Sequence, residues 1–332
     1  MQRAVYLLDR SLAPSPKVRA FRGAIDTVTA LDPAELSQRV AQNTVTELDG
    51  IGPSTGSVIA DAVAGRPSKY LAKLEESTTI PIGEGAAIRA AIRGDCHLHT
   101  TWSDGGASIT EMATAARSLG HDYLVITDHS PRLTIAHGLD PVRLAEQMLE
   151  IAAVNVEMAP FRILTGMEVD ILEDGRLDLD DELLAGLDVV VASVHSKLAM
   201  EREAMTKRMV MAVASPHVDI LGHCTGRQVM GTGRKQSQFD ADYVFAACAQ
   251  FDTAVEINCR PERQDPPDDL LDIALETGCM ISIDTDAHAP GQLEFIAYGC
   301  DKAARHDIEP ERIVNTMSAD DLLAWTAAHR SL

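Results

Sequence analysis

From residue 95 onward the sequence alternates short β-branched runs with amphipathic helical patterns, and this alternation limits the fold more than any other feature. The runs span residues 96–99, 123–127, 161–168, 188–195, 218–223, 254–258 and 280–284. Helical spacing of apolar residues occupies 109–119, 140–154, 203–214, 240–250 and 268–277. Strands separated by helices pair in parallel, because a parallel neighbour needs a long crossover connection. The pattern therefore predicts an α/β fold, a parallel sheet closed as a (β/α) barrel. An open doubly wound sheet is the alternative.

The first 94 residues follow another rhythm. Val18, Phe21, Ile25 and Val28 recur at helical spacing, and Asp32-Pro33-Ala34-Glu35 reads as a helix start with Pro at its first position. Leu48-Asp49-Gly50-Ile51-Gly52-Pro53-Ser54-Thr55-Gly56 leads into a helical run over 57–64. The expected organisation is a small all-α domain over 1–76, a linker over 77–94 rich in Thr, Pro and Gly, and the barrel over 95–332.

Charge divides the chain at the same place. Residues 1–94 carry 11 basic and 10 acidic side chains, whereas residues 95–332 carry 18 and 40, a net of −22. Such a barrel repels polyanions over most of its surface, so only a local basic or metal-rich spot would draw in a phosphate. The six cysteines, Cys96, Cys224, Cys248, Cys259, Cys279 and Cys300, include no Cys-x-x-Cys pair and read as reduced, buried thiols. No apolar run reaches the ~18 residues of a membrane span, and the amino terminus has no secretion signal. The expectation is a cytoplasmic protein without membrane association.

The ends of the strands carry the chemistry. The first ends in His97-x-His99, followed by Asp104; the second ends near His129; the third ends in Glu168. His195 and His223 close the fourth and fifth, and Asp286 and His288 follow the seventh. In (β/α) barrels catalytic groups gather at the carboxyl ends of strands. His-x-His on a strand puts both imidazoles on one face, since side chains alternate with period 2. Imidazoles mixed with carboxylates suit Zn, Mn or Fe. Nine donors exceed the needs of one ion and predict two or three, with a carboxylate as bridge. Paired ions of this kind activate water and clamp the oxygens of a displacement at phosphorus.

His121, His137, His217, His306 and His329 lie away from strand ends and read as ordinary histidines. Cys96 and Cys224 neighbour ligands on their strands, so their thiols are expected on the opposite, packed face. No Gly-x-Ser-x-Gly elbow or Gly-x-x-x-x-Gly-Lys-Ser/Thr loop occurs, which argues against serine hydrolase and P-loop chemistry.

The motifs resemble the PHP (polymerase and histidinol phosphatase) family. His97-Leu98-His99-Thr100-Thr101-Trp102-Ser103-Asp104-Gly105 and Ile126-Thr127-Asp128-His129-Ser130 are similar to its first two motifs. Gly166-Met167-Glu168, Ser193-Val194-His195-Ser196, Leu221-Gly222-His223 and Asp284-Thr285-Asp286-Ala287-His288 are similar to the others. The resemblance implies a distorted seven-stranded barrel and a trinuclear site. It would place His97, His99, Glu168 and Asp286 on one ion, with Glu168 bridging to a second held by His195 and His223. Asp104, His129 and His288 would hold the third.

Gly222-His223-Cys224-Thr225-Gly226-Arg227 and Glu256-Ile257-Asn258-Cys259-Arg260-Pro261 further resemble the PHP module of bacterial family X DNA polymerases. Residues 17–76 are similar to the helix-hairpin-helix region of those enzymes. The polymerase palm has no counterpart, so polymerase activity is not implied. In a hairpin, Gly50-Ile51-Gly52 would bring backbone N–H groups at a helix start close to a DNA phosphate.

The expected activity is hydrolysis of a phosphate ester by metal-activated water. Lys197, Arg227 and Arg260, which follow strand ends, are candidates to grip the substrate phosphate. The leading substrate is a DNA end, processed by a 3′–5′ exonuclease or phosphatase in repair, with DNA docked through residues 1–76. The alternative is a small-molecule phosphomonoesterase of histidinol phosphatase type, and a third class is a DNA-binding scaffold with structural metals. Oligomeric state is left open by the sequence.

Overall fold

The computed structural model describes residues 1–329 and divides them into two compact units. One comprises Met1–Pro81 with Ala289–Gln292; the other comprises Ile82–His288 and the residues from Leu293 on.

The first unit is helical: α1 Gln2–Arg10, α2 Ser15–Ala30, α3 Pro33–Ala41, α4 Pro53–Val63 and α5 Lys69–Thr78. Asp32 caps α3, accepting the Ala34 and Glu35 N–H groups at 2.8 and 3.3 Å. Helix α4 starts at Pro53, four residues before the expected run. Pro fits the first helical position, and the Thr55 hydroxyl accepts the Gly52 N–H at 2.8 Å. Phe21, Ala24, Val45, Ile51, Val58 and Ile59 form the packed interior.

In the second unit seven strands run parallel in the order β1 to β7: Gly94–Asp95, Tyr123–Ile126, Arg162–Asp170, Val189–Ser193, Ile220–Leu221, Ala254–Asn258 and Ile281–Asp284. Helices α6 Ala86–Ala91, α7 Ile109–Ser118, α8 Pro141–Met158, α9 Asp181–Leu184, α10 Arg202–Val213, α11 Ala241–Gln250, α12 Asp268–Thr277, α13 Ile296–Arg305 and α14 Ala319–His329 accompany them. A bridge between Leu98 and Ala287, with His99 N–H donating to Ala287 O at 2.8 Å, joins the segments beyond β1 and β7. The result is the nearly closed barrel expected from the alternation.

Period-2 alternation sorts the core. Tyr123, Val125, Leu164, Val189, Val191, Ile220 and Ala254, drawn from β2 to β6, pack together inside the barrel with Cys96, the residue after β1. Leu124, Ile126 and Ile163 face outward onto Ile109, Met112, Ile151 and Val154 of the helices. All six cysteines are buried and unpaired, as expected. Within 77–94, the Gly83 and Gly85 N–H groups donate to the Asp301 carboxylate at 3.0 and 2.8 Å, and α6 follows. No described helix is long and apolar enough to cross a membrane.

Candidate metal centre

The carboxyl ends of the strands converge on Glu168 of β3, which is 1% exposed. Its two oxygens divide five imidazoles. Oε1 lies 2.8 Å from His223 Nε2 and 3.1 Å from His195 Nε2. Oε2 lies 2.8 Å from His129 Nδ1, 3.4 Å from His97 Nε2 and 3.6 Å from His99 Nε2. His99 Nε2 is also 3.3 Å from Asp286 Oδ1, and Asp104 Oδ1 is 3.4 Å from His288 Nε2 and 3.6 Å from His129 Nε2.

All nine residues expected from the sequence are thus brought together. They form four overlapping groups whose donor atoms lie within 4.8 Å of one another: His99-Asp104-His129-His288, His97-Glu168-His223, His97-His99-Asp286 and His129-Glu168-His195. His121, His137, His217 and His306 enter none of these groups. The His329 side chain lies outside the described residues.

Local backbone geometry serves the cluster. Asp286 sits at φ +49° and His223 at φ +20°, left-handed conformations that L residues seldom adopt. Gly105 is needed where the loop after His99 turns back, because a Cβ there would lie 2.6 Å from His99 O. The buried Asp128 carboxylate holds the same loop, accepting the Thr100 and Ser103 N–H groups at 2.8 and 3.2 Å.

A ring of partners orients the donors. His97 Nδ1 lies 2.6 Å from Glu256 Oε1, and the His223 N–H donates to the other oxygen of Glu256. Asp170 Oδ1 stands 3.4 Å from His195 Nδ1. Asp286 Oδ2 receives Asn258 Nδ2–H and pairs with Arg263 Nε, each at 3.1 Å. Asp170 and Arg263 were not singled out from sequence, and Glu256 and Asn258 were quoted within a motif without a role of their own. Asp170, Glu256 and Asn258 have a signal: each lies on a strand, two residues from another inward-facing position. Arg263 has none, since its position depends on the path of the loop after β6.

The electrostatics are those of one anionic hub among imidazoles. Burial raises the Glu168 carboxyl, yet His195, His97 and His129 hold it well below the usual range. Burial likewise opposes ionisation of Asp286, and Arg263 foremost outweighs it. His99 is pushed down to about 3 by burial and by its neighbours His129 and His288. Burial works against the His195 cation, but Glu168 and Asp170 lift it to about 9.

These residues fit divalent metal ions. His97 Nε2, both ring nitrogens of His99 and of His195, and Glu168 Oε2 are buried with no hydrogen-bond partner among the described residues. Each such atom costs about 1–3 kcal/mol when left unsatisfied. Imidazole nitrogens and carboxylate oxygens in this mixture form a borderline-metal donor set.

The PHP domain family matches residues 95–258. A probable phosphatase of Caldanaerobacter subterraneus subsp. tengcongensis is 30% identical over 250 residues, 71% of this chain and 91% of that protein. The chain belongs to the PHP family. With that membership it is a phosphoric ester hydrolase. The DNA polymerase/3′-5′ exonuclease PolX of Bacillus subtilis is 41% identical to this PHP protein over 235 residues. That match takes in 70% of this chain but only 41% of PolX. A histidinol phosphate phosphatase from Lactococcus lactis, solved with Zn, L-histidinol and phosphate, aligns at TM-score 0.43 and 18% identity over 64% of this chain and 93% of that one.

The three candidate phosphate contacts fare differently. Arg260 reaches the cluster, with Nη1 2.9 Å from His288 Nδ1 and donating to Asp286 O at 2.7 Å. The Arg227 guanidinium instead donates to the Arg263 and Gln264 carbonyls. Lys197 is exposed on the loop after β4. In the helical unit Gly50, at φ +77°, and Gly52 are exposed, whereas the Ile51 side chain is buried among Ala24, Val45 and Ile59. The Ile51 and Gly52 N–H groups donate to Leu48 O and Thr55 Oγ1.

Proposed function

We propose that this chain hydrolyses phosphate esters at a centre of two to three divalent transition ions, Zn, Mn or Fe, and that its substrate is a DNA 3′ end. The observation that carries the reading is the Glu168 carboxylate, whose two oxygens face separate sets of imidazoles. A carboxylate so placed suits neighbouring ions. His97, His99, Glu168 and Asp286 would hold one, His195 and His223 with Glu168 a second, and Asp104, His129 and His288 a third. When bound, such ions supply Lewis acidity toward phosphoryl oxygens and lower the pKa of water.

The chain's own groups do the rest. Glu256 fixes the His97 ring so that Nε2 points at Glu168, and the Asp170 carboxylate stands beside the His195 ring. Arg260 and Arg263 flank Asp286 and place two cations beside the cluster, on a barrel that otherwise repels anions. They are the groups best placed to orient a phosphate for displacement.

The DNA reading draws on the similarity to the exonuclease PolX and on the exposed Gly50 and Gly52 before α4. A phosphomonoesterase is the second reading, favoured by the probable phosphatase that this chain covers over 91% of its length. Side-by-side assays on 3′-ended DNA and on histidinol phosphate separate them. Stepwise shortening of the DNA strand is expected. Intact DNA alongside fast turnover of histidinol phosphate would overturn the DNA reading.

A further inference from the structure

A cavity of about 440 Å³ opens between the loop after β6 and α13, and it shares a wall with the metal centre. Asn258 and Arg260 line it while also contacting Asp286 and His288 of the cluster. Its other walls include Arg227, Tyr298, Lys302 and Arg305.

Four cations line the cavity, Arg227, Arg260, Lys302 and Arg305, against two acids, Asp268 and Asp301, and of the four Arg260 pairs with Glu262 at 2.6 Å. Arg227 bonds to main-chain carbonyls and forms no ion pair among the described residues. Arg305 is exposed and likewise forms none. Lys302 is 7% exposed and pairs with Asp268 at 3.0 Å. The second acid in the wall, Asp301, already accepts the Gly83 and Gly85 N–H groups. Burial foremost lowers the Lys302 amine; Asp268 raises it, and the nearby Arg227 charge lowers it. Like charges gathered around an open space repel one another, and an anion between them relieves that repulsion. Tyr298 adds a part-exposed ring of the kind on which bases stack.

We propose that this cavity is a subsite for a second phosphate of the substrate, the phosphodiester neighbouring the one at the metal centre. The ligand class is an oligonucleotide end bearing at least two phosphates, so the inference rests on the DNA reading. Arg305 and Arg227 receive the phosphate, and Tyr298 receives the attached base.

The test uses the full-length, metal-loaded enzyme hydrolysing p-nitrophenyl phosphate, with thymidylate oligomers of one, two and three phosphates as competitors. In the wild type the inhibition constant should fall about tenfold when a second phosphate is added, as one more cation-phosphate contact forms. In Arg305→Gln that gain should shrink to about twofold or less. Equal gains in the two enzymes would overturn the subsite and leave the DNA reading standing. No inhibition by any of the oligomers would overturn both.

Discussion

His97 Nδ1 and Glu256 Oε1 lie 2.6 Å apart although 159 residues separate them in the chain. The contact turns His97 Nε2 toward Glu168, and Glu256 also receives the His223 N–H. One buried carboxylate thus sets two of the cluster's imidazole-bearing residues. Glu256→Gln keeps the shape and removes the charge, so metal retention should weaken about 10–100-fold. Competition with a chelator of known affinity measures it; unchanged retention would remove Glu256 from the site.

Glu168→Ala should abolish phosphoesterase activity, with kcat/KM down at least about 1,000-fold, because one carboxylate enters two of the four overlapping donor groups. His217→Ala, outside the cluster, should stay within about twofold of wild type. Circular dichroism of both variants checks that the fold survives. Comparable rates for Glu168→Ala and wild type would contradict the assignment.

A pH effect on stability follows from His121, which is buried with neither ring nitrogen hydrogen-bonded among the described residues. Burial first, then the Arg89 charge, depresses its pKa from 6.5 to about 3. The unfolded chain therefore binds a proton that the folded chain refuses between pH 6.5 and about 3. Stability rises with pH across that window and is lost as pH falls through it. Between pH 7.5 and 4.5 the His121 contribution is about 2–3 kcal/mol. Urea unfolding at those two pH values should show that His121→Gln loses correspondingly less stability than wild type. Equal losses would contradict the cause.

DNA docking through the helical unit can be probed without disturbing its packing. A Cβ at Gly52 meets nothing within 4 Å, and an acid just before α4 favours the helix dipole. Gly52→Glu should therefore fold normally while repelling a phosphate at that helix start. Turnover of DNA should fall about fivefold to tenfold, with p-nitrophenyl phosphate hydrolysis unchanged. Unaltered DNA turnover would leave Gly50 and Gly52 as packing elements.

The alternation of β-branched runs with helical spacing made the barrel legible, and every strand overlaps or adjoins its expected run. The first strand is displaced: its ladder is Gly94–Asp95, and 96–99 leaves it for side-chain partners such as Thr127 Oγ1, which accepts the Leu98 N–H. Nine inward side chains were legible because their types are rare and they recur at strand ends. Glu256, although within the Glu256–Pro261 motif, was given no role because its contact with His97, 159 residues away, is made only by folding. The setting of the Arg227 guanidinium was not legible, because the Arg263 and Gln264 carbonyls that accept from its Nε and Nη2 are brought near only by folding.

The multinuclear centre is tested most directly by elemental analysis of the full-length protein after reloading with Mn or Zn and exhaustive dialysis. The nine donors around Glu168 predict two to three equivalents of transition metal per chain. One equivalent or fewer after reloading would contradict the centre on which the hydrolytic reading rests.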